Sequence, residues 1–164
     1  MKKDAAIRHY EESLLIPQSQ ESVFAYIDDH SRFSSHMSKS SWMMGGGRME
    51  VSTDSGHGQK IGSHICLSGS AFGIPINLDE VVTQYQRPSI KVWETVGEPK
   101  LLVVGQYQMK IEIQPQDGKS HLSVSIDYKL PDKNAWLGKL FGKMYAKWCV
   151  KQMIDGARIY FVKK

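Results

Sequence analysis

A chain of 164 residues, 41% hydrophobic and 23% charged, has the balance of a globular protein and a length suited to one domain over residues 1–164. No apolar run approaches the roughly 20 residues needed to span a bilayer, and Met1-Lys2-Lys3-Asp4 leads into no apolar secretory segment, so a cytoplasmic location is expected. The net charge of +4 is spread among interspersed acidic residues, which argues against a nucleic-acid partner; Cys66 and Cys149 form no Cys-x-x-Cys pair and have no histidine at ligand spacing, so no metal or cofactor is expected.

In chain order, a first strand is predicted over about Ile7 to Ile16, ended by Pro17, whose missing N–H cannot continue a ladder. Ser19 is placed to cap a helix running to about Asp28, with Glu21 in its first turn and Val23, Phe24 and Ile27 on one face. Ser31 can cap a second short helix containing Phe33 and Met37. Trp42-Met43-Met44 and Met49 flank the glycines Gly45-Gly46-Gly47, where soft side chains suit either a cavity mouth or packing under a loop.

From Arg48 to Leu130 strand-like runs alternate with turn signals such as Ser55-Gly56-His57-Gly58. Ile74, Ile76 and Leu78 keep one phase and Val81, Thr83 and Tyr85 the other, which places a bulge near Asp79-Glu80. After Arg87-Pro88 a strand runs to about Val96. The clearest strand is Leu101 to Ile113, with apolar or small odd positions; Asp117-Gly118 then turns the chain into a partner with Leu122, Val124, Ile126, Tyr128 and Leu130 inward. The direct consequence is an antiparallel sheet with one dry and one wet face.

The C-terminal segment reads as helix, but its apolar side changes along its length. At about 100° per residue, Leu137, Leu140, Phe141, Met144 and Trp148 fall together opposite Lys139, Lys143 and Lys147, whereas Cys149, Val150, Met153, Ile154, Ala157 and Phe161 occupy the other half. A break or kink near Gly138 and Gly142 is therefore expected. On a continuous helix, Gly138, Gly142, Ala146, Cys149 and Met153 would instead form a face of small or flexible residues, which leaves volume unfilled against a concave sheet.

Ile16-Pro17 ahead of Glu21-x-Val23-Phe24-x-Tyr26-Ile27-x-Asp29, the Gly58 to Gly62 turn, the strand Asp79-Glu80-Val81-Val82-Thr83-Gln84-Tyr85 with Arg87-Pro88 after it, and the Trp93 strand follow one another in a familiar order. From about Ile7 to Phe161 this order resembles the SRPBCC superfamily of START-like, polyketide cyclase/dehydrase and plant-allergen proteins. The resemblance implies an α+β helix-grip fold: a curved antiparallel β-sheet wrapped around a long C-terminal helix, with two short helices after strand one that form a V cradling that helix. It also implies an apolar cavity. Members include lipid and sterol carriers, hormone receptors, aromatase/cyclases and quinone-binding chaperones, so the resemblance specifies fold far better than function.

Candidate lining residues for such a cavity are Phe72, Trp93, Tyr107, Met109, Ile126, Tyr128, Cys149 and Met153, with the two tyrosine hydroxyls as groups that need partners in an apolar interior. His64 alternates with Ile65 and Leu67 and is expected on the wet face, without an evident carboxylate partner. The chain has no nucleotide-binding glycine loop, His-Glu-x-x-His or Ser/His/Asp pattern, so no catalytic residue is assigned. The expected partner is a small hydrophobic molecule such as a lipid, isoprenoid or polyketide-like compound, either carried or acted on by a cyclase/dehydrase-type enzyme with acid and base groups in the cavity. Leu137 and Phe141 beside Lys139 and Lys143 can in addition rest on a membrane surface, although the same pattern suits a solvated lysine stripe. Oligomeric state is not legible.

Overall fold

The computed structural model describes residues 6–33, 35, 39, 45–97, 99 and 101–162. Strand β1 (Arg8–Ile16) leads into helices α1 (Gln20–Asp28) and α2 (His30–Phe33), followed by β2 (Met49–Thr53), β3 (His64–Ala71), β4 (Ile74–Gln86), β5 (Ile90–Thr95), β6 (Tyr107–Gln116), β7 (Lys119–Tyr128) and helix α3 (Ala135–Phe161). The strands form one curved antiparallel sheet in the order β1-β7-β6-β5-β4-β3-β2, the helix-grip arrangement that the sequence implies.

Local chemistry explains the first elements. The Ser22 N–H donates to Ser19 Oγ at 3.2 Å and caps α1, as expected. The second helix is capped differently: the Arg32 N–H donates to Asp29 Oδ1 at 3.3 Å, and the Ser31 hydroxyl donates to the same oxygen at 2.6 Å, so the cap is Asp29 and not Ser31. An aspartate one residue ahead of α2 holds the acceptor that the orphan N–H groups need. Met37 and Trp42-Met43-Met44 lie outside the described residues.

Three other expectations are corrected. The long strand begins at Tyr107 and not at Leu101, because Val104 and Gly105 are both buried and the alternation fails there. Gly105 presses its Cα against the Leu130 backbone, where an added Cβ would lie 2.8 Å from the carbonyl oxygen, and the Val103 carbonyl faces α3. The irregularity in β4 falls between Val82 and Gln84, past Asp79-Glu80, so Ile76, Leu78, Glu80 and Val82 share one inward phase. And α3 runs unbroken for 27 residues.

The continuous helix resolves the two apolar patterns physically. Gly138, Gly142 and Ala146 face the protein, continuing into Cys149, Val150, Met153, Ile154 and Ala157, while Leu140, Phe141 and Met144 are left exposed. An added Cβ on Gly138 would sit 2.6 Å from Pro131 Cδ, and on Gly142 2.9 Å from the Val103 oxygen, so the glycines let the helix approach the 101–106 segment closely. Beyond it, Val150 and Ile154 are buried in one apolar core with Ile111, Ile113, Leu122 and Val124 of the sheet, each such burial contributing roughly 1.5–3 kcal/mol.

Candidate functional site

Between the concave sheet face and α3 lies a cavity of about 70 Å³. One water needs roughly 10–15 Å³, whereas pockets for drug-sized ligands run to roughly 300–1,000 Å³. Trp93 from β5, Tyr107 and Met109 from β6, Ile126 from β7, and Cys149 and Met153 from α3 all line it. Two sequence-predicted residues do not. Tyr128 is buried but turned toward Gly142, its ring 3.5 Å from where a Cβ would be; Phe72 sits in the β3–β4 turn at φ 53° and projects outward.

Phe72 instead lines an outer apolar groove of about 360 Å³ with Leu102, Val103, Leu137, Phe141, Met144 and Tyr145. Tyr145 borders both spaces, its ring standing between groove and cavity. Its neighbours on that side of the helix, Gly142, Ala146 and Cys149, are all small.

Two polar groups of the cavity, Glu80 and His30, were not among the sequence candidates. Glu80 is buried at 3% exposure, and its Oε2 has no hydrogen-bond partner. Burial pushes its carboxyl up to about 8, against the pull of the Tyr107 hydroxyl and the Trp93 indole that approach it, so the group is a neutral acid at physiological pH. The signal for it was present in the sequence: an acidic residue in phase with Ile76 and Leu78, obscured by placing the bulge three residues too early.

His30 at the start of α2 is the second such group. It lines the cavity, its ring stands edge-on to Trp93 at 5.1 Å between centroids, and its buried Nδ1 has no partner. Burial lowers its pKa to about 3, helped by the nearby Lys91 ammonium, so the imidazole is neutral. Burial likewise raises the Tyr107 and Tyr145 hydroxyls well above 10 and the Cys149 thiol to about 12, which keeps all three protonated. The cavity therefore holds uncharged hydrogen-bonding groups in an otherwise apolar wall.

His64 lies on the wet face, half exposed as expected, and has a carboxylate partner after all: its Nδ1 is 2.9 Å from Asp79 Oδ1, and that bond raises its pKa. It does not reach the cavity. Among the described residues no group of three or more His, Cys, Asp or Glu side chains could hold a metal ion, and no helix is long and apolar enough to cross a membrane.

The fold is similar to that of truncated norcoclaurine synthase from Thalictrum flavum, at 12% identity and a TM-score of 0.70, over 100% of this chain and 99% of that one. It is also similar to the di-domain ARO/CYC StfQ from the steffimycin biosynthetic pathway, at 8% identity and a TM-score of 0.70, over 96% of this chain and 52% of that one. Ara h 8.0201 matches at 12% identity and a TM-score of 0.59, over 93% of this chain and 98% of that one. At such identities the likeness is one of fold, and no curated protein matches the chain. The sequence profile described as polyketide cyclase / dehydrase and lipid transport matches residues 8–158, and with the helix-grip fold around an apolar cavity this places the chain in that family, within the SRPBCC superfamily.

Proposed function

We propose that this protein binds a small, mainly apolar molecule carrying a carbonyl oxygen between its sheet and α3, and that Glu80 moves a proton on it, as a cyclase/dehydrase-type enzyme requires. One observation carries the reading: a buried carboxyl with an unpaired oxygen inside an apolar cavity, where desolvation favours its protonated form. Glu80 protonates the carbonyl oxygen, which makes the neighbouring C–H acidic; the carboxylate so formed takes that proton, leaving an enol and a neutral Glu80. The family description and the apolar lining support binding of a hydrophobic guest.

The guest enters through the outer groove when the Tyr145 ring swings aside and joins groove and cavity. Trp136, Leu140, Phe141 and Met144 are exposed beside this entrance, among Lys139, Lys143 and Lys147, a composition suited to collecting an apolar molecule from an anionic membrane surface. Those exposed apolar residues favour a second reading, a carrier that binds without chemistry.

Hydrogen–deuterium exchange at the α-carbon of a bound aryl methyl ketone in D2O separates the two. Acid–base action by Glu80 predicts exchange faster in the unaltered protein than in Glu80→Gln by about 10²-fold or more. Equal rates, with the ketone still bound by both proteins, leave the carrier.

A further inference from the structure

The described residues hold two buried side-chain atoms without a hydrogen-bond partner, His30 Nδ1 and Glu80 Oε2, and both belong to residues lining the same cavity. Both also lie beside one side chain: the His30 ring stands edge-on to the Trp93 indole, and the same indole acts on the Glu80 carboxyl, pulling its pKa down against the effect of burial. They therefore converge on one corner of the cavity, while Ile76, Leu101, Ile126 and Met153 supply apolar walls. A buried polar atom left unpaired costs free energy, so an arrangement that keeps two of them in one corner is matched to a guest that satisfies both.

We infer that the ligand has two oxygen functions at one end, one received by Glu80 and the other by His30 beside the Trp93 indole, and an apolar body held by the remaining, apolar walls. A plain hydrocarbon chain, or a molecule with a single carbonyl, leaves one of the two atoms bare. The group at the Glu80 corner is a carbonyl or hydroxyl, since a protonated carboxyl can donate; the group at His30 is a hydroxyl, which can donate or accept and so serves either imidazole tautomer. His30 is thus a specificity residue, distinct from the acid. The inference rests on the proposed binding of a guest in this cavity but not on proton transfer by Glu80.

The test compares ethylbenzene, acetophenone and the three hydroxyacetophenone isomers as probes, with dissociation constants measured by NMR titration against the unaltered protein, His30→Phe and His30→Gln. At least one hydroxyacetophenone is expected to bind about tenfold or more tightly than acetophenone. His30→Phe is expected to erase that difference, and His30→Gln to restore part of it. Thermal melting of each variant establishes that it is folded. Equal affinities for all three hydroxyacetophenones and acetophenone overturn the inference, since water drawn from the polar groove that His30 also borders then satisfies Nδ1. A preference for hydroxyacetophenone that survives in His30→Phe overturns it as well. Failure of every probe to bind the unaltered protein overturns the binding reading and the inference together.

Discussion

The Lys91 ammonium lies 3.0 Å from Asp28 Oδ1, and both side chains are out of water. The Tyr85 hydroxyl donates to the other oxygen of Asp28 at 2.7 Å, and Arg87 stands 3.6 Å from it at the surface. This cluster ties the end of α1 to β5, and the Lys91 ammonium lies 5.9 Å from the centroid of the Trp93 ring at the polar corner of the cavity. Replacing Asp28 with Asn leaves the Lys91 charge buried and unpaired, and is expected to cost about 3–5 kcal/mol. Adding Lys91→Met to that variant removes the stranded charge and is expected to recover a large part of the loss. Urea unfolding of the single and double variants checks this; a loss below about 1 kcal/mol for Asp28→Asn shows that the pair does not hold the corner.

Glu80 and His30 impose opposite pH dependences on stability. The folded Glu80 value of about 8 lies above its ordinary 4.5, so the native state holds an extra proton between those values; the stability this gives is full below pH 4.5 and is lost as pH rises through 8. The folded His30 value of about 3 lies below its ordinary 6.5, so its contribution is full above pH 6.5 and is lost as pH falls toward 3. Between pH 4.5 and 6.5 the two slopes oppose each other. Relative to the unaltered protein, Glu80→Gln is expected to gain stability as pH rises from 4.5 to 8, and His30→Phe to gain it as pH falls from 6.5 to 3. Each difference approaches at most about 1.4 kcal/mol per pH unit. Denaturant titrations across that range read both, and a difference independent of pH for Glu80→Gln shows that the carboxyl is ionised in the native state.

The glycines of α3 are expected to behave differently from one another. Alanine is favoured over glycine in a helix by about 1 kcal/mol, but at Gly138 the added methyl meets Pro131 at 2.6 Å and the Val103 oxygen at 3.0 Å. Overpacking of this kind costs about 1–3 kcal/mol, so Gly138→Ala is expected to be destabilising. At Gly156 the nearest atom is the Tyr26 hydroxyl at 3.3 Å, a milder contact than either of those at Gly138. Gly156→Ala is therefore expected to be neutral or stabilising by up to about 1 kcal/mol. Thermal unfolding ranks the two; a more stable Gly138→Ala protein contradicts the close approach of α3 to residues 101–106.

Membrane contact at the groove entrance makes a separate prediction. Sedimentation with vesicles containing about 30% phosphatidylserine is expected to carry the unaltered protein down at low salt, with binding weakened by roughly 1 kcal/mol for each lysine lost from the surface. Lys139→Glu with Lys143→Glu should therefore release it, and Phe141→Ala should weaken it without changing its salt dependence. Retention of the double lysine variant on the vesicles rules out this face as the point of contact.

How much of this was legible in the residues follows from how locally each feature is specified. The alternation of β7, the Ser19 cap, the Asp117-Gly118 turn with φ of 50° and 76°, and the small-residue face of α3 are written into a few neighbouring positions and hold in the fold. The cavity walls contributed by Trp93, Tyr107, Met109, Ile126, Cys149 and Met153 were readable because inward phase is a local property of each strand and helix. The path of α3 was not, because its exposed Leu140 and Phe141 look like a buried stripe until the Val103 backbone is seen to occupy the glycine side. Nor was the polar corner, in which His30 from a four-residue helix and Glu80 from the fourth strand meet around one indole. Sequence by itself determined which strand faces are dry; the tertiary structure alone decided which side of α3 joins them and which polar atoms are shut in with them, because desolvation depends on what distant segments exclude water together.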